Sequence, residues 1–380
     1  MSNTAVAIID TPADTRPWLA QLKNQQVQVV IRYLARGWSH SLPNLRIAGN
    51  GPGDPCKDGH YFPGTGGSEA AQLLNNGFGI VLVYEWKSNN PSKFLFGIDT
   101  AGNVKPNDPG TDHAATAAAE ADADIAAANT QTAAIGLPTA PIYFALDFDL
   151  QPGSGTAQGS DDKPLQYSDG TPISNDTVVA ACDAYFHRLQ QKLGVGRLGV
   201  YGNGFANQYM LNHRYVTYSW IAQSPGFANT AKFLRSGAWH LFQQMDWYWF
   251  GDGTCPSGLD VDTDIQNPGG NDIGAVGKNG PYHVDAARTQ AIFNARYVAA
   301  KPVPIQTAKN VAAPAIQTTF CSTDTQKEVI ISNIARNHSV RVLDDDGIWL
   351  TVDINEDGIA EGYAAKTGNF VANIKDTPDY

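Results

Sequence analysis

The stretch Ile142-Tyr-Phe-Ala-Leu-Asp147-Phe-Asp149 decides how the rest of the chain is read. Side chains alternate across a strand, so Tyr143, Ala145, Asp147 and Asp149 fall on one face. Phe144, Leu146 and Phe148 fall on the other. A short strand that is apolar on both faces fits a parallel sheet covered by helices. Two carboxylates sit at its C-terminal end. Carboxylates so placed repel, and one of them binds its proton more tightly.

Working outward, runs of the same type recur at Ala5–Asp10, Val27–Tyr33, Phe78–Tyr84, Leu198–Asn203, Tyr218–Gln223, Ala238–Gln244 and Leu259–Asp264. Between them lie helix signals at Ser68-Glu-Ala-Ala-Gln-Leu-Leu, at 112–134 and at 175–193, the last stopped by Gly194. Strands alternating with helices predict βα units around a mainly parallel sheet, and eight of them predict a closed barrel. The second half has little room for helices between strands, so the expected fold is an α/β, irregular (β/α)8 TIM-like barrel over residues 1–300. Residues 301–318 carry three prolines within Lys301–Ile316 and read as a Pro/Ala-rich linker. Short alternating runs with Asp/Gly turns over 319–380 read as a small all-β, SH3-like module that binds a wall or a protein partner.

Composition narrows the function. The 380 residues include 26 Lys and Arg against 37 Asp and Glu, a net charge of −11. Nucleic acid is a poor partner for such a surface, because binding it depends on clustered basic side chains. No apolar run approaches the roughly 20 residues of a membrane span. The first ten residues lack the basic and long apolar regions of a signal peptide, so the expectation is cytoplasmic synthesis, with non-classical export or delivery to the cell envelope. Four scattered cysteines make neither a disulfide framework nor a zinc site. Cys182 reads as core, whereas Cys56 and Cys255 sit in Gly/Pro-rich loops and could pair in an oxidising compartment.

In a (β/α)8 barrel the C-terminal ends of the strands deliver side chains into the mouth. Strand one ends in Asp10, strand four in Asp147 and Asp149, and strand eight carries Asp260, Asp262 and Asp264 on one face. Turn-capping alone would account for any single Asp of this kind. Acids ending three strands of one barrel converge, and paired carboxylates with separated proton affinities are what acid/base cleavage of a glycosidic bond requires. Groups suited to sugars surround them: Tyr84, Glu85 and Trp86 after strand three, then Tyr201, Trp220, Gln223, Gln243 and Trp247. Aromatic faces cover the apolar side of a pyranose, while amides and carboxylates take its hydroxyls. Arg32, near the end of strand two, would contact substrate or pair with a mouth acid.

The segments Val30-Ile-Arg-Tyr33, Ile142–Asp149, Val200-Tyr-Gly-Asn203, Ser219-Trp-Ile-Ala-Gln223 and Trp239-His-Leu-Phe-Gln243 resemble the glycoside-hydrolase-like domain of unknown function named for a mycobacterial cell-envelope protein. That group in turn resembles the Chalaropsis-type lysozymes of glycoside hydrolase family 25. The resemblance covers roughly residues 4–295 and implies a lysozyme-like barrel with acids on strands one, four and eight. Asp10 then matches the first-strand acid, Asp147 and Asp149 the Asp-x-Glu pair, and Asp262 the last-strand acid, with Asp260 and Asp264 fitting nearly as well. One departure stands out: the usual proton donor, a Glu, is here Asp149. The side chain is shorter by a methylene, and a displacement of about 1 Å can cost a hundredfold in rate. Glu85 is the substitute donor.

The resemblance and the acids together predict a lysozyme-like hydrolase acting on peptidoglycan or a related polysaccharide, with no cofactor required. The alternative is a catalytically impaired barrel that binds glycan or anchors to the wall. In the last module, Asp353, Asn355 and Asp357 begin a calcium-type loop whose twelfth position is Ala364 instead of Glu, a weak candidate for a structural calcium.

Overall fold

The computed structural model describes residues 7–36, 68–160, 163–222, 224, 227–249, 259–267 and 272–284, together with seven strands between 296 and 372. Eight strands close a TIM-like α/β barrel: β1 Ile8–Asp10, β2 Val29–Leu34, β3 Gly79–Tyr84, β4 Ile142–Leu146, β5 Leu198–Gly202, β6 Tyr218–Ile221, β7 Leu241–Trp249 and β8 Asp260–Gln266. From β1 to β7 every neighbouring pair is parallel. Strand β8 is antiparallel to both β7 and β1. It therefore enters the barrel at the mouth, and its first residues rather than its last face the strand ends. A short hairpin of β9 Val276–Gly277 and β10 Gly280–Pro281 pairs with the lower part of β3, below the point where β4 takes over.

Helices follow the strands: α1 Leu19–Asn24, α2 Glu69–Asn75, α3 Ser92–Phe96, α4 His113–Ala134, α5 Asn175–Leu193, α6 Gly204–Asn212 and α7 Thr230–Arg235. Their starts are set by capping side chains. Ser68, Asp112, Ser174 and Asn203 each accept a backbone N–H from the first turn.

Alternation along the strands creates two cores. Val30, Leu82, Phe144 and Val200 face outward and pack with Leu22, Leu73, Ala121 and Phe186 of the helices. Ile8, Ile31, Val83, Tyr143, Trp220 and Leu241 fill the barrel interior. The thiol of Cys182 is buried in the outer core, and burial pushes it well up from its ordinary value. Cys56 and Cys255 lie outside the described residues. No helix among the described residues is long and apolar enough to cross a membrane.

The division between the two compact units falls after Val284. The second unit is a seven-stranded antiparallel sheet of β11 Arg296–Ala299, β12 Val303–Gln306, β13 Ile330–Ile334, β14 Ser339–Asp345, β15 Trp349–Asp353, β16 Gly362–Ala365 and β17 Phe370–Ala372. Its order is β13-β12-β16-β15-β14-β11-β17. This corrects the expected boundaries. Strand β11 falls in the segment assigned to the barrel, and β12 in the segment read as a linker. Pro304 sits within β12, paired with Asn333 of β13, so proline in that stretch marks a strand position and not a break.

Candidate active site

The barrel mouth holds a cleft of about 260 Å3 lined by Asp10, Pro12, Tyr33, Val83, Glu85, Asp147, Tyr201, Trp220, Gln243, Val261 and Asp262. Four of the five expected catalytic acids thus share one cavity. They come from strands whose alternation puts them inside: Glu85 continues the inward series Val81, Val83, and Asp147 the series Tyr143, Ala145. Reversal of β8 places Asp262 directly opposite Asp10 in the β1–β8 register.

A hydrogen-bond network fixes the floor. Gln243 Nε2 donates to both Asp10 Oδ2 and Asp262 Oδ2 at 3.1 Å. Its Oε1 accepts the Tyr201 hydroxyl at 2.8 Å, which sets the orientation of the amide. Tyr33 donates to Asp10 Oδ1. Tyr201 and Trp220 rings meet at 4.5 Å with a 60° tilt, forming an aromatic wall. One layer down, Trp220 Nε1 donates to Asp264 Oδ1 at 2.8 Å.

Proton affinities are spread unevenly across this floor. Burial, then the charges of Asp147 and Asp10, push Glu85 up to about 8, against a weaker opposing pull from Ser88 and Lys93. Burial also raises Asp10, although its hydrogen bonds from Tyr33 and Gln243 oppose the rise. Asp264 is raised well above the carboxylate range by burial and by the neighbouring charges of Asp10 and Asp262. A carboxylic acid that keeps its proton near neutral pH next to a second acid can act as a proton donor.

Several expected site residues lie elsewhere. Asp149 is not part of the cleft lining. Strand β4 ends at Leu146, so the alternation that would have kept Asp149 beside Asp147 stops before reaching it. Its Oδ1 accepts Asn203 Nδ2 and the Ala228 N–H, both at 2.7 Å, and its Oδ2 accepts Gln151 Nε2. Arg32 is buried on the outer face, where it pairs with Glu69 at 3.1 Å and donates to Thr11 O. Glu69 in turn accepts the Thr15 N–H at 2.8 Å, so the pair secures the loop after Asp10 instead of meeting substrate.

Tyr84 and Trp86 flank Glu85 and therefore point away from the cleft. Tyr84 donates to Asp124 Oδ1 of α4 at 2.7 Å. Trp86 packs on the outer core, and its carbonyl accepts Lys93 Nζ at 2.8 Å. Lys93 is itself paired with Asp124 at 2.8 Å. The residues on either side of Glu85 are thus tied to one buried ion pair. Gln223 lies outside the described residues, and of Trp247 only the strand position, opposite Asp262, is described. Asp353 ends β15, while Asn355 and Asp357 lie outside the described residues. Among the described residues no group of three metal-ligating side chains converges.

Tyr33 is the site residue to which the sequence assigned no role, and Asp264 entered there only as an alternative to Asp262 for the last-strand acid. Tyr33 lies in a strand that is apolar on both faces, where no local signal marks the inward series. Asp264 was legible as sharing a face with Asp262.

No family model matches the chain, and no curated protein matches it. Among solved structures the chain is similar to the Mycobacterium tuberculosis Tat-secreted protein Rv2525c in complex with L-tartrate, in an orthorhombic crystal form. Identity is 19% and the TM-score 0.37, over 69% of this chain and 95% of that one. A monoclinic form of the same protein in complex with HEPES matches with 20% identity and a TM-score of 0.38, over 71% and 98% of the two chains.

Proposed function

We propose that the cleft is the active site of a glycoside hydrolase acting on bacterial cell-wall peptidoglycan or a related polysaccharide. The observation that carries this reading is Glu85, which is held protonated near neutral pH on the wall of an aromatic-lined cavity, beside Asp147. Glu85 delivers its proton to the glycosidic oxygen as the bond breaks. Asp147 offsets the positive charge that develops on the sugar, or activates water. Asp10 and Asp262, bridged by Gln243, hold the floor on which the sugar rests. Tyr201, backed by the buried Trp220, supplies the face for its apolar side. Under the same reading the chain belongs with the glycosidase-like relatives of family 25 lysozymes, acts at the cell envelope, and uses its C-terminal β unit as an SH3-like wall- or partner-binding module.

Incubation of the purified protein with peptidoglycan and a panel of neutral polysaccharides tests the activity by release of reducing ends. Hydrolysis abolished in Glu85→Gln and Asp147→Ala supports the assignment. One observation favours a second reading, a glycan-binding or wall-anchoring barrel: the position that aligns with the usual donor, Asp149, is consumed by hydrogen bonds. Tight retention on one glycan with no reducing ends released from any would select that reading.

A further inference from the structure

We propose that Asp264 is a neutral carboxylic acid that donates its proton to Asp10, and so acts as a positioning residue that fixes Asp10 as an ionised carboxylate on the cleft floor. Asp264 stands opposite Ile8 where Asp262 stands opposite Asp10, so Asp264 and Asp10 are diagonal neighbours on the inward face of β1 and β8. A hydrogen bond between two carboxyl groups requires a proton on one of them. Donor accounting decides which. Asp10 already accepts Tyr33 on Oδ1 and Gln243 on Oδ2, so both of its oxygens are engaged as acceptors. Asp264 accepts only Trp220, on Oδ1, and its Oδ2 is buried with no donor directed at it among the described residues. That oxygen is the one left to carry the proton.

The surroundings agree. Asp264 is only 3% exposed. The titratable groups that face it are Asp10 of β1, Tyr143 of β4, Tyr201 of β5 and Asp262 of its own strand, all acidic. A second negative charge in such a place is costly, whereas a shared proton leaves one charge and satisfies both groups. The role in catalysis rests on the glycosidase reading; the location of the proton does not.

Asp264→Asn tests it. The amide retains an acceptor for Trp220 and supplies an N–H to Asp10, so the variant folds. Its Tm relative to wild type rises as pH increases from acidic toward neutral, because only the wild type must hold a buried acid there. The infrared band of a protonated carboxyl group, present in the wild type near neutral pH, loses the Asp264 contribution in the variant. Glycan release by Asp264→Asn stays close to wild type. Asp264→Leu, which removes the donor, loses about tenfold, the worth of one hydrogen bond to a charged group. A Tm below wild type for Asp264→Asn near neutral pH, or an unchanged carboxyl band, overturns the proposal. If the wild type cleaves no glycan, the glycosidase reading falls, and the thermal and infrared measurements still decide where the proton is.

Discussion

Asp149 Oδ1 accepts the Asn203 side-chain amide at 2.7 Å, and this bond ties the loop after β4 to the N-cap of α6. The same oxygen accepts the Ala228 N–H, so three segments meet on one carboxylate. The acid that motif alignment nominates as proton donor is a brace. Asp147, two residues earlier, keeps the cleft position.

Replacing Asp149 should therefore register first as lost stability. Hydrogen bonds to a charged group are worth about 1.5–3 kcal/mol each, and partial exposure of this side chain places the expected loss for Asp149→Ala near the lower end. Denaturant unfolding measures it. Asp149→Glu, which restores the residue type of the lysozyme motif, is expected to add no activity, because the longer side chain still answers to Asn203 and Ala228. A gain in reducing-end release would show that the brace can turn into the cleft.

As the proposed proton donor, Glu85 is expected to set the alkaline side of the pH profile. A general acid works only while protonated, so kcat/KM is expected to fall as pH rises through about 8. Glu85→Gln should reduce kcat by about 10²–10⁴-fold, the usual contribution of positioned proton transfer, and remove that limb. Stability has the linked sign. A carboxyl whose proton affinity is raised by folding costs stability as pH climbs from its ordinary value toward the raised one, so Glu85→Gln should unfold at a higher temperature than wild type near neutral and alkaline pH. An alkaline limb that survives in Glu85→Gln would reassign the donor.

The buried Arg32–Glu69 pair predicts a fold defect and not a binding defect. Both side chains are almost fully inaccessible. Removing one partner of such a pair leaves an uncompensated charge and costs about 3–5 kcal/mol. Arg32→Met should show that loss in chemical denaturation, while glycan affinity of the fraction that remains folded is unchanged. Weakened affinity with full stability would return Arg32 to the substrate-binding set.

Gly204 marks the closest approach of α6 to the start of α7. A Cβ there would meet the Asn229 carbonyl oxygen at 2.3 Å and Thr230 Cα at 2.5 Å. Backbone atoms cannot yield as a side chain does, so Gly204→Ala is expected to cost about 1–3 kcal/mol, as overpacking does elsewhere. Thermal denaturation checks it.

Much of the barrel was legible in the chain itself. Period-two alternation at 142–148 placed Phe144 and Leu146 against the helices and Tyr143 and Ala145 inside, and the structure has them there. The expectation that Tyr84, Glu85 and Trp86 all serve the mouth conflicts with the same rule, since three adjacent residues cannot all face one cleft. In β2 it was not enough: Val29 to Leu34 is apolar on both faces apart from Arg32, and nothing local distinguishes the inward series Ile31, Tyr33 from the outward series Val30, Arg32.

Sequence by itself determined the number of barrel strands, the two-faced character of each, and the presence of acids at the ends of strands one, three and four. These are local properties, carried by residue type and spacing. Tertiary structure alone decided that β8 runs backward and sets Asp262 opposite Asp10, that Asp149 turns to Asn203 once its strand has ended, and that the proton affinity of Glu85 is raised. Strand direction depends on which neighbour completes the barrel, and proton affinity depends on burial and on charges contributed by distant strands. Neither quantity is a property of any single segment.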